Sequence, residues 1–105
     1  MADDRKADHA RILESTVEVP DHVVHRAFEA ETLLLNLETG QYHGINETGG
    51  RMLELLEDRD GRVRAAIEQL AAEYDVTFDE IAPQLAAFCL SLESRGLIVV
   101  REDAA

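Results

Sequence analysis

The chain reads as an α+β domain in which a three-stranded antiparallel sheet packs on three helices. Three observations predict it. Residues 32–37, TLLLNL, are an apolar run of strand length. They are followed by the turn sequence Glu38-Thr39-Gly40 and a second extended stretch, QYHGI. From Asn46 onward the apolar residues switch to helical spacing in three separate stretches, each closed by a breaker.

Residues 1–14 are polar and of mixed charge, with Ile12 and Leu13 their only large apolar side chains. They read as a flexible N-terminal arm, with a short helix as the alternative. Residues 15–105 form the domain. Residues 16–19 alternate and stop at Pro20, which marks a short extended piece. Residues 23–28, VVHRAF, keep a weak period of two and predict a strand, and Glu29-Ala30-Glu31 a turn. TLLLNL places apolar side chains at consecutive positions, which predicts burial on both faces and a central place in the sheet. Gly40 supplies the positive φ of a tight hairpin. In a simple meander VVHRAF then takes one edge and QYHGI the other.

Asn46 or Thr48 caps the first predicted helix, whose Met52, Leu53 and Leu56 keep helical spacing. Gly49-Gly50 near its start predict close packing of that helix on the sheet. Residues 58–61 break it. Val63, Ile67, Leu70 and Tyr74 line one face of the second helix, which ends at residues 74–76. Thr77-Phe78-Asp79-Glu80 is a capping-box pattern, and Ile81, Leu85, Phe88, Cys89 and Leu92 form the stripe of the third helix. Pro83 removes one hydrogen bond if that helix begins at Thr77, so either its first turn is irregular or it starts nearer Pro83. Arg95-Gly96-Leu97 is a glycine stop, and LIVV at residues 97–100 reads as a last strand or a core-packed tail. Three helices with an adjoining hairpin have the outline of a winged helix-turn-helix, which by itself does not specify function.

Composition narrows the function classes. Twenty-two acids against 10 Lys plus Arg give a formal net charge of −12, which repels phosphate backbones and anionic membranes. A cationic peptide or a basic protein surface fits that charge. The single cysteine, Cys89, excludes an intramolecular disulfide and sits in an apolar helical stretch as a packed small hydrophobe. No secretion signal opens the chain, and no run approaches the ~18 apolar residues of a membrane span. The expected location is therefore the cytoplasm. His22 and His25 are three apart on a strand and point to opposite faces, so they do not converge on one metal ion. No serine or cysteine nucleophile has a supporting constellation, and Gly49-Gly50 lacks the spacing and the Lys of a phosphate loop. No catalysis, cofactor or metal is expected. A winged-helix DNA-binding protein or another protein-interaction domain is the alternative reading. It is disfavoured by the acidic start of the third helix, TFDEIAPQ.

The sharpest functional suggestion is the second edge of the sheet. QYHGI is short and has no evident partner on its far side. An unpaired edge beside helices is a dock for an incoming extended peptide. His43 on that strand is either a half-exposed strand residue or a contact to such a peptide.

The ordered set ETLLLNLETGQYHGINETGGRMLELL, EYDV, a capped third helix and LESRGLI resembles the PqqD-like proteins over about residues 23–100. These are recognition elements for the leader segments of ribosomally synthesised, post-translationally modified peptides. The resemblance implies a three-stranded sheet on three helices that performs no chemistry and presents a precursor peptide to a separate modifying enzyme. That enzyme is a radical S-adenosylmethionine enzyme, a cyclodehydratase, or the leader peptidase and cyclase of a lasso-peptide pathway. The LETGQYHGIN wording is most similar to the lasso type. Carried onto this chain, the resemblance places peptide contacts at Gln41, Tyr42, His43, Gly44 and Ile45. On the third helix it implicates Leu85, Phe88, Cys89 and Leu92, for which plain core packing is the competing reading. Glu80 or Glu93 would stand at the rim.

Overall fold

The computed structural model describes residues 4–102. Its elements run α1 (Asp4–Leu13), β1 (Ser15–Glu18), β2 (Val23–Ala27), β3 (Glu31–Asn36) and β4 (Tyr42–Asn46). There follow α2 (Glu47–Asp58), α3 (Val63–Tyr74), α4 (Phe78–Ser94) and β5 (Val99–Glu102). The mixed α+β class and the three-stranded antiparallel meander are as expected, with β3 between β2 and β4. Gly40 closes the β3–β4 turn at φ +76°, and the Asn36 side chain accepts from the amides of Glu38 and Thr39 beneath it.

The sequence reading differs from the structure at both ends of the chain. The segment read as an arm is a helix over its described part, the alternative weighed for it. Ile12 of α1 is fully buried, and Arg11 pairs with Glu93 of α4 at 2.9 Å. Residues 1–3 and 103–105 lie outside the described residues. The extended piece near Val17 is a true strand: β1 pairs antiparallel with β5 in a second, two-stranded sheet. That pairing uses the end of the apolar tail, while Leu97 and Ile98 enter the core. The amide of Val17 donates to the Gly61 carbonyl at 2.8 Å, which ties β1 to the α2–α3 turn.

The core lies between the inner face of the meander and α2, α3 and α4. Leu34, Met52, Leu53, Ile67, Leu70 and Leu92 fill it. The expected burial of TLLLNL on both faces is not what forms. Thr32, Leu34 and Asn36 are buried, whereas Leu33 and Leu35 are only half-buried. Helices cover just one face of the sheet, so the strand alternates like any one-sided antiparallel strand. Val24, Leu33, Leu35 and Tyr42 line the outer face instead.

Gly50 makes the close approach of α2 to the sheet possible, because a Cβ there would collide with the Thr32 hydroxyl on β3. Asn46, not Thr48, is the N-cap of α2, and its side chain accepts from the Gly49 amide at 2.8 Å. Helix α4 starts at Phe78 behind Thr77, whose hydroxyl accepts from the Glu80 amide at 3.1 Å. It runs through Pro83 without interruption, so the helix begins at the capping box and not at Pro83. No helix among the described residues is long and apolar enough to cross a membrane.

Candidate functional site

The site is built from β4, the first turn of α2 and one side of α4. Pairing of β4 with β3 joins Leu35 to Tyr42, Leu34 to His43, Leu33 to Gly44 and Thr32 to Ile45. The Asn36 amide donates to the Gln41 carbonyl at 3.0 Å, which sets the phase of the ladder. Alternation from that bond turns the backbone groups of His43 and Ile45 toward β3 and those of Tyr42 and Gly44 outward. Among the described residues no strand pairs with this outer flank. The apolar tail pairs with β1 in the other sheet instead.

Side chains along β4 divide between the two faces. Tyr42 and Gly44 belong to the outer face, where Tyr42 is 69% exposed. His43 and Ile45 lie opposite Leu34 and Thr32 on the inner face; His43 is half-buried and Ile45 is buried. Gln41 is exposed and precedes the strand by one residue.

The helix side of the site is narrower than the sequence implied. Leu85, Cys89 and Leu92 are 3%, 0% and 1% exposed and belong to the core. A helical stripe does not reveal which neighbour covers it, and here the body of the domain does. Burial also pushes the Cys89 thiol up to about 12, so it stays protonated and unreactive at neutral pH. Phe88 is different. It is half-buried, and its ring reaches the Gly49 backbone at the junction of β4 and α2. Gln84 and Ser91 are one turn away on the same side of α4 and are not buried. Neither stood out in the sequence, because a polar residue on an amphipathic helix reads as solvent-facing. Their spacing from Phe88 is the only local signal for them.

The rim acids have other occupations. Glu93 is held by Arg11, and Glu80 accepts from the Thr77 hydroxyl at 3.1 Å in the capping box. Glu31, at the start of β3, instead leans over Gly44 on the outer face. His22 lies in the turn before β2, not on the strand, and approaches Glu38 at 3.7 Å, whereas His25 on β2 approaches Glu57 at 3.1 Å. No cluster of metal-ligating side chains forms among the described residues. The arrangement can accept backbone hydrogen bonds and side chains from an extended chain.

Residues 31–98 match the family model described as coenzyme PQQ synthesis protein D (PqqD). No curated protein matches the chain. Among solved structures, TbiB1 in complex with the TbiA(beta) leader peptide is similar at 31% identity and a TM-score of 0.71. That match covers 77% of this chain and 93% of TbiB1. A lasso peptide synthetase B1 complexed with the leader peptide shares the fold at 20% identity and a TM-score of 0.67, over 80% of this chain and 98% of that one.

Proposed function

The chain belongs to the PqqD family, and from that membership we propose that it binds the leader segment of a ribosomally made precursor peptide and presents it to a separate maturation enzyme. The leader adds as a fourth strand to the outer flank of β4. The observation that carries this reading is the ladder edge at Tyr42 and Gly44, unpaired among the described residues, together with the half-exposed ring of Phe88. The solved relative TbiB1, which holds a leader peptide, supports the same occupant. The chain performs no catalysis of its own. It acts in the cytoplasm, where precursor and enzyme are synthesised. The enzyme it serves is a lasso-type leader peptidase with its cyclase, with a radical S-adenosylmethionine enzyme as the other candidate.

Peptide contacts run along Gln41, Tyr42, His43, Gly44 and Ile45 and continue onto Phe88. Leu85, Cys89 and Leu92 act from the core by fixing the position of α4. Each ladder hydrogen bond contributes about 0.5–1.5 kcal/mol net, too little for a few of them to outweigh the cost of association. Side chains of the leader must therefore find apolar contacts, and Phe88 and Tyr42 are the aromatic groups placed to give them.

The test is an amide-resolved titration of the protein with the leader of the precursor encoded beside its gene. Shifts are expected at residues 41–46 and around Phe88, with little change in α3. Shifts centred on α3, or no saturation up to millimolar leader, would contradict the reading.

A further inference from the structure

The row of outer-face side chains along β4 has a gap. It runs from Tyr42 to Gly44, where there is no side chain. A Cβ on Gly44 would lie 2.8 Å from Oε2 and 3.4 Å from Cδ of Glu31, and 3.7 Å from Cδ2 of Leu33. The Glu31 carboxylate therefore stands at the place any other residue at position 44 would fill. Glu31 is directly opposite Asn46, so its side chain leans diagonally along the sheet toward the free edge. It is exposed, and among the described residues no cation pairs with it, including Arg26 on the same face of β2.

We propose that Glu31 selects a lysine or arginine at the leader position seated opposite Gly44. The inference rests on the strand-addition reading and deepens it. In an antiparallel pair, residues directly opposite one another put their side chains on the same face. The leader residue facing Gly44 thus points to the outer face, and no side chain of β4 stands between it and the Glu31 carboxylate. A long cationic side chain spans that gap, whereas an acidic one meets like charge. The net charge of −12 favours cationic leaders in general but does not distinguish one leader position from another. Glu31 provides that distinction.

The test uses the full chain and the fluorescently labelled leader of the precursor encoded beside its gene, each leader position replaced in turn by Lys and by Glu. Wild type is expected to prefer Lys over Glu at one position by about three- to tenfold, the range for an exposed pair gained against an exposed repulsion. Glu31→Gln should bring that preference within about twofold. Glu68→Gln removes the same charge from the exposed side of α3 and should leave the preference intact. Equal loss in both variants, or no change in Glu31→Gln, overturns the proposal while strand addition stands. Failure of the unsubstituted leader to bind wild type overturns both.

Discussion

The ring of Phe88 lies against the backbone of Gly49. A Cβ on Gly49 would stand 2.8 Å from Cε1 and 3.0 Å from Cζ of that ring. The contact joins α4 to the first turn of α2, directly after the edge strand, so one glycine sets how far an aromatic side chain stands from β4, the edge proposed to take the leader.

Gly49→Ala should therefore separate binding from stability. Alanine improves helix propensity by about 1 kcal/mol, while overpacking against the ring costs about 1–3 kcal/mol. The net change in stability should stay within about 2 kcal/mol. The displaced ring, by contrast, should weaken leader binding on the order of tenfold, as expected for an aromatic anchor. Calorimetric titration beside a thermal melt checks both. Unchanged affinity would remove Phe88 from the dock.

Gly44→Pro tests the phase of the ladder. The Asn36–Gln41 bond turns the Gly44 amide away from β3, so proline there breaks no hydrogen bond inside the protein. It does remove a donor that an added strand would use and puts a ring in that strand's way. Leader affinity should fall by at least about tenfold, a lost ladder bond compounded by the obstruction. The melting temperature should change little, because the Glu31 carboxylate that a Cβ at position 44 would meet is the end of an exposed, flexible side chain that can swing aside. His43→Pro is the contrast, because its amide faces β3, and it should destabilise the fold itself. Similar behaviour of the two variants would mean the ladder has the opposite phase.

How much of this was legible in the sequence depends on the range of the contacts involved. The order of the meander could be read because an apolar run, a turn with glycine and a short alternating strand are adjacent in the chain. The same holds for the Thr77 cap and for Asn46, which stood as one of two options. Helix α1 was visible only as an alternative, because DRKADHARIL carries just two large apolar residues. What holds it is Ile12 in the core and an ion pair from Arg11 to Glu93, 82 residues away. The β1–β5 sheet is long-range in the same way. At the site, the edge strand followed from local pattern. The split of the α4 stripe did not: Phe88 and Cys89 are neighbours in sequence, yet one reaches the Gly49 backbone at the surface and the other is sealed in the core.

The link between α2 and α3 gives the fold a defined response to acid. Arg51 donates from Nε to Oε1 of Glu73 at 2.9 Å and from Nη2 to Oε2 at 2.6 Å, and Gln69 adds a bond to Oε2 at 3.1 Å. These hydrogen bonds, that from Arg51 foremost, hold the Glu73 carboxyl at about 2, well below its ordinary value of 4.5. The arginine is pushed further up by the same partner and stays charged throughout. A carboxylate with a depressed folded-state pKa contributes stability above its unfolded value and loses that contribution as pH falls toward the folded value. Wild type should therefore melt above Glu73→Gln at pH 5–6, and the gap should narrow steadily between about 4.5 and about 2. Arg51 is half-buried and Glu73 lies at the surface, within reach of solvent, so the gap should be modest and should shrink further in 1 M salt. A melting difference that stays constant from pH 6 to pH 2 would show that the charge on Glu73 is not what ties the two helices together.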